Sequence, residues 1–204
     1  MTKVQILGER CSGTNFLERL LISNFNIECV WSAGWKHWPE RNLMQADVTY
    51  IYIHRNIDDW TGSNVAKRHH VPKDVRDILQ EKWVIGAPDV PGNGPRTLLE
   101  QRAHFLETIF HMQSGIHYWV DYDWLCNNQV QWMSALNLPR TGSALHPYRQ
   151  PAKPGGGASA SHWSSKKYPK LTLPFNVEYE TWATFMINKN IQGLGLWCSG
   201  GCLD

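Results

Sequence analysis

Apolar and polar positions along this chain change period repeatedly, and the changes mark out alternating strands and helices. Residues 3–8 (KVQILG) read as a short buried strand. After a glycine-bearing polar stretch, Phe16, Leu17, Leu20, Leu21 and Phe25 recur at helical spacing within TNFLERLLISNF. Residues 26–31 (NIECVW) read as a second strand. Residues 48–54 (VTYIYIH), alternating and rich in β-branched and aromatic side chains, read as a third. A helix is expected over 58–69 with Asp58 as its N-cap, and a strongly amphipathic one over 97–112. Then come a strand at 115–123, a helix at 127–136 and a last helix at 178–189. This order predicts an α/β chain: one domain over 1–204 with a parallel sheet and helices packed on its faces.

Two segments fall outside that rhythm. Residues 71–95 contain four prolines and read as a surface excursion. Residues 150–165 (QPAKPGGGASASHWSS) hold few bulky apolar side chains and read as a flexible loop, either plain surface or a mobile lid.

The 204 residues, 42% of them hydrophobic, suffice for one domain with a sizeable core. A net charge of +2 provides no broad basic field, so nucleic acid is not an expected partner and any anion site must be local. Cys11, Cys29, Cys126, Cys198 and Cys202 match no zinc or redox spacing, which fits reduced thiols in a cytoplasmic protein. No signal peptide is expected, and no apolar run reaches the roughly 18 residues of a membrane span. Most of the eleven tryptophans are expected in the core, with some left as walls for a ligand.

The most informative stretch is ILGERCSGTNFLERLL, a strand that runs through a glycine-bearing loop into a helix. That arrangement aims backbone N–H groups and a helix N-terminus at an anion. Gly13 allows close backbone approach, and Ser12, Thr14 and Asn15 add side-chain donors. Gly8 and Gly13 have nucleotide-kinase spacing, but Thr14 stands where that motif requires lysine, so a kinase is the weaker reading. Later, YIYIHRNIDDWTGS places Arg55 at the end of a strand and Ser63 eight residues on. A guanidinium gives bidentate, charge-assisted bonds to a phosphate, and ligands of open α/β sheets bind at such strand ends.

Together these segments resemble the P-loop sulfotransferases that use 3′-phosphoadenylyl sulfate (PAPS). Ser12, Gly13, Thr14, Asn15 and Leu17 align with the family's K-[ST]-G-T-[TS]-x-L loop, with Cys11 where the family has lysine and Asn15 where it has threonine or serine. Arg55, Asn56, Asp59 and Ser63 match its R-[ND]-P-x-[DE]-x-x-x-S motif, with Ile57 in place of proline. The resemblance implies a three-layer P-loop-type fold and sulfuryl transfer from PAPS to a hydroxyl or amine of a small-molecule or glycan acceptor. It leaves 3′,5′-bisphosphoadenosine (PAP) as by-product and needs no metal. It puts Arg10, Cys11, Ser12, Gly13, Thr14, Asn15 and Phe16 around the 5′-phosphosulfate, and Arg55 and Ser63 on the 3′-phosphate. Arg10 or Lys36 would take over from the missing lysine.

H-W-P at 37–39 is similar to the family's H-L-P segment, which makes His37 the candidate general base and Glu40 the reserve. Trp31, Trp35 and Trp38 would either wall an acceptor pocket or pack in the core. Tyr122, Asp123 and Leu125 fit a V-x-Y-E-D-L stretch that supports the nucleotide site. Lys166 and Lys167, before Tyr168 and Pro169, resemble a loop that closes over the 3′-phosphate. A module that binds PAP without turnover is the non-enzymatic alternative.

Overall fold

The computed structural model describes residues 1–68, 97–149 and 177–194. Its central sheet has four parallel strands: β1 (Thr2–Leu7), β2 (Ile27–Cys29), β5 (Val48–His54) and β6 (Ile116–Asp121), in the order β2-β1-β5-β6. Between them lie a two-stranded antiparallel hairpin, β3 (Gly34–Trp35) and β4 (Trp38–Pro39), and helices α1 (Thr14–Ile22) and α2 (Ile57–Arg68). Helices α3 (Leu98–Met112), α4 (Tyr122–Ser134) and α5 (Val177–Gly193), with two short 3-10 turns at Arg41–Leu43 and Gln113–Gly115, complete the described elements. The expected α/β class with a parallel sheet is therefore present.

Period-2 alternation divides the strands between two cores. Val4, Ile6, Ile51, Ile53 and Val120 face Leu17, Leu20 and Leu21 of α1 and Leu125, Trp132 and Met133 of α4. Leu7, Tyr50, Tyr52 and Trp119 face Phe105, Leu106 and Ile109 of α3 and Ala183 and Ile187 of α5. Helices thus cover both faces of the sheet, which is why its strands read as nearly continuous apolar runs.

Several boundaries differ from expectation, each for a local reason. Strand β2 is only three residues long, because pairing with β1 ends at Cys29. Asp58 lies within α2 rather than capping it. The helix opens at Ile57, and the Asn56 side chain accepts from the Asp59 amide at 3.0 Å, as an N-cap does. The helix expected over 127–136 begins five residues earlier, at Tyr122, because Asp121 ends β6 and caps α4 by accepting from the Trp124 amide at 2.8 Å. Helix α3 matches its predicted span and carries a reciprocal capping box between Thr97 and Glu100. The segments 71–95 and 150–165 lie outside the described residues. Among the described residues, no helix is long and apolar enough to cross a membrane.

Candidate active site

Because all four central strands are parallel, the loops after β1, β5 and β6 meet at one edge of the sheet. The β1–α1 loop is shaped by two unusual backbone positions: Gly13 at φ 96° and Cys11 at φ 68°. A Cβ on Gly13 would lie 2.1 Å from Cδ2 of Tyr122, so only glycine lets the loop lie against that ring. Cys11, where the sulfotransferase pattern has lysine, holds a left-handed conformation that is strained for a non-glycine residue.

These loops enclose a cleft of about 340 Å3. Arg10, Cys11, Gly13, Thr14, Asn15 and Phe16 line it from the first loop and α1, and Arg55 and Ser63 from β5 and α2. Trp35, His37 and Tyr122 complete the lining. Most residues singled out in the sequence thus converge on one space. Ser12 does not line it: its hydroxyl, fully buried, donates to the Glu9 carbonyl at 2.7 Å and braces the loop. Lys36 does not line it either. Its ammonium donates to Asn15 Oδ1 at 2.6 Å and pairs with Glu18 at 3.2 Å, beside the start of α1. Lys166 and Lys167 lie outside the described residues.

Arg55 is buried, with its guanidinium 4.8 Å from the centre of the Tyr122 ring and donating to the Cys11 carbonyl at 3.3 Å. Its Nε has no hydrogen-bond partner among the described residues and lies 3.9 Å from Asp123. Burial raises the Asp123 carboxyl to about 6 against the pull of Arg55, and Asp121 and Asp59 add to the rise. Arg10 places its guanidinium 5.0 Å over the Trp35 ring, on the cleft side.

His37 sits at the tip of the β3–β4 hairpin rather than in an irregular loop. Lys36 and His37 form the two-residue turn, and the Lys36 carbonyl accepts from the Gly8 amide at 3.1 Å. The Gly8 carbonyl faces His37 Nδ1 at 2.5 Å. A carbonyl only accepts, so Nδ1 carries a proton, and in the neutral ring the lone pair is on Nε2. Glu40 is exposed and does not line the cleft. Trp31 is exposed, whereas Trp38 lies against His104 at 4.7 Å.

Behind the cleft is a small cavity of about 20 Å3, bordered by His37, Trp38, Trp60, Phe105, Glu9 and Asn64. Arg102 of α3 also borders it and is entirely buried. It bonds Glu9 Oε2 at 2.6 Å, the Arg55 carbonyl at 2.9 Å and both carboxylate oxygens of Glu180 on α5. Next to Glu180 is His54, whose Nδ1 faces the Tyr52 hydroxyl at 2.9 Å. Burial holds His54 well below the usual histidine range, and Arg102 acts in the same direction, so the ring is neutral. Burial also pushes the Glu9 carboxyl up, to about 8, despite the adjacent guanidinium.

Sequence reasoning missed this Glu9–Arg102–Glu180 network, although one signal was present. Leu98, Arg102, Phe105, Ile109 and Met112 form the buried stripe of α3, and an arginine on such a stripe needs a buried acid. Among the described residues, no group of three or more His, Cys, Asp or Glu side chains could hold a metal ion.

The chain is thus an α/β protein with a cleft that joins a glycine-bearing strand-to-helix loop to a buried arginine. No family model, curated protein or solved structure matches it.

Proposed function

We propose that this protein is a P-loop-type sulfotransferase, moving a sulfuryl group from PAPS to a hydroxyl or amine acceptor and releasing PAP. One observation carries the reading. The Ser-Gly-Thr loop, with Gly13 in the left-handed region and α1 starting at Thr14, opens on the same cleft as Arg55 and Ser63. That geometry suits a ligand with two separate anionic groups, one at a helix N-terminus and the other at a guanidinium. The covered parallel sheet agrees with the three-layer P-loop layout.

In this reading the donor lies along the strand ends, with its 5′-phosphosulfate at the β1–α1 loop and its 3′-phosphate at Arg55 and Ser63. Transfer is in line: the acceptor oxygen or nitrogen bonds to sulfur as the sulfur–oxygen bond to the 5′-phosphate breaks. Loop N–H groups and Arg10 then hold the charge on the leaving phosphate. His37 takes the acceptor proton at Nε2, the nitrogen left basic by the Gly8 contact. The acceptor approaches from the His37 side of the cleft.

The test is differential binding followed by turnover. PAP should raise the melting temperature more than ATP at equal concentration, and labelled sulfate should pass from PAPS to some member of a broad acceptor panel. Equal or greater stabilisation by ATP would refute the donor assignment. Cys11 in the position of the family lysine, at φ 68°, favours one second reading, a PAP-binding module without turnover. Tight PAP binding with no transfer to any acceptor would support that instead.

A further inference from the structure

The two anion-binding points of the cleft follow different strands, and one buried side chain joins them from behind. Arg102 of α3 is entirely buried and does not line the cleft. Its Nη1 donates to Glu9 Oε2 at 2.6 Å, in the loop after β1. Its Nη2 donates to the Arg55 backbone carbonyl at 2.9 Å, just past the end of β5. Glu9 directly precedes Arg10 and Cys11, which line the cleft, and Arg55 lines it too. A second link runs to the same loop. The Arg102 guanidinium lies 4.9 Å from the centre of the Trp60 ring, and Trp60 Nε1 donates to the Arg10 carbonyl at 2.8 Å.

Glu180 of α5 fixes the guanidinium in turn, accepting from Nε at one carboxylate oxygen and from Nη2 at the other, the latter at 2.8 Å. A planar fork with set donor directions transmits position in a way that an ammonium on a flexible stem does not. The Glu9 limb survives the raised carboxyl, because a protonated carboxyl group still accepts through its other oxygen. The direct tie between the two anion points is longer: Arg55 Nη1 donates to the Cys11 carbonyl at 3.3 Å, and that guanidinium must also serve a bound anion.

We propose that Arg102 is a positioning residue that sets the spacing between the β1–α1 loop and Arg55, and so fits the cleft to a nucleotide with two separated phosphates. This rests on the two-anion reading of the cleft given above. A nucleotide with one phosphate can settle against either point by itself. One with two phosphates must meet both at once, and it gains fully from the second only where the spacing is set in advance.

Calorimetric titrations of the whole chain with PAP, adenosine 5′-monophosphate and adenosine 3′-monophosphate test this. In the wild type, PAP should bind at least about tenfold more tightly than either monophosphate. Arg102→Lys keeps the charge but not the fork. It should shrink the PAP advantage to less than about threefold while leaving each monophosphate within about threefold of its wild-type affinity. Leu106→Ala, at a buried α3 position that bonds none of these groups, should lower the melting temperature and keep the PAP advantage. Equal weakening of all three nucleotides by Arg102→Lys would reduce Arg102 to general support and overturn the proposal. So would loss of the PAP advantage in Leu106→Ala. Should Arg102→Lys not fold, Glu9→Ala, which frees the loop limb alone, decides by the same ratio. A wild type in which PAP gains nothing over the monophosphates overturns the donor assignment as well; a gain that survives Arg102→Lys overturns the positioning role alone.

Discussion

Replacing Gly13 by alanine perturbs the loop in two separable ways. The new Cβ would meet Tyr122 Cδ2 at 2.1 Å and Cε2 at 2.6 Å, closer than any tolerated contact, and the backbone stays at φ 96°. A left-handed conformation costs a non-glycine residue about 1–2 kcal/mol, and overpacking typically adds about 1–3 kcal/mol. Reduced freedom of the unfolded chain returns about 0.4–1 kcal/mol. Gly13→Ala should therefore lose roughly 1–4.6 kcal/mol of stability, the two costs less the unfolded-state gain. Urea unfolding followed by tryptophan fluorescence reads the loss. A thermodynamic cycle with Tyr122→Ala then divides it. The steric part should vanish in the double variant, while the backbone part persists. A Gly13→Ala protein within about 0.5 kcal/mol of wild type would refute the reasoning, because surface substitutions fall in that range. Additive single and double variants would refute the steric half alone.

Four further outcomes are expected. Arg102→Met should destabilise the fold by about 3–5 kcal/mol at pH 7, since the Glu9 and Glu180 carboxyl groups lose the guanidinium that binds both; denaturant titrations read the loss, and a variant within about 0.5 kcal/mol of wild type would contradict it. The raised Glu9 carboxyl gives a stability contribution that is full below pH 4.5 and is lost as pH rises towards 8, at about 1.4 kcal/mol per unit of displacement. Urea midpoints of wild type relative to Glu9→Gln should fall across that window, and a flat difference would contradict the assigned direction. Arg55→Ala should weaken PAP binding by about 2–3 kcal/mol in calorimetry, the scale of a charge-assisted bond. His37→Ala should lower sulfate transfer at least about 10²-fold while PAP affinity stays nearly constant; loss of PAP affinity instead would make His37 a nucleotide or structural residue, and full activity would move the base elsewhere.

The α/β alternation was legible because local periodicity and tertiary burial agree. Val4 and Ile6 on one face and Tyr50 and Tyr52 on the other are strand residues by pattern and core residues by packing. The cleft was legible in the Ser-Gly-Thr loop and at Arg55 because its chemistry lies in short, contiguous motifs. What stayed hidden depends on contacts across long separations. Glu9 meets Arg102 over 93 positions, and Arg102 meets Glu180 over 78, distances at which no local pattern carries information. The Lys36 tie to Asn15 and the inward turn of the Ser12 hydroxyl were invisible for a different reason. Both residue types suit anion binding, and only packing decides which way each side chain faces. The N-cap of α2 shifted from Asp58 to Asn56 because either side chain can cap, and the end of β5 settles which does.

The contact from His37 Nδ1 to the Gly8 carbonyl has a kinetic consequence. That donor is present whether the ring is neutral or protonated, since the second proton arrives at Nε2. In the proposed transfer the imidazole would therefore need no reorientation about its Gly8 contact between accepting a proton and releasing it. Proton uptake at His37 would then add no conformational step to the cycle.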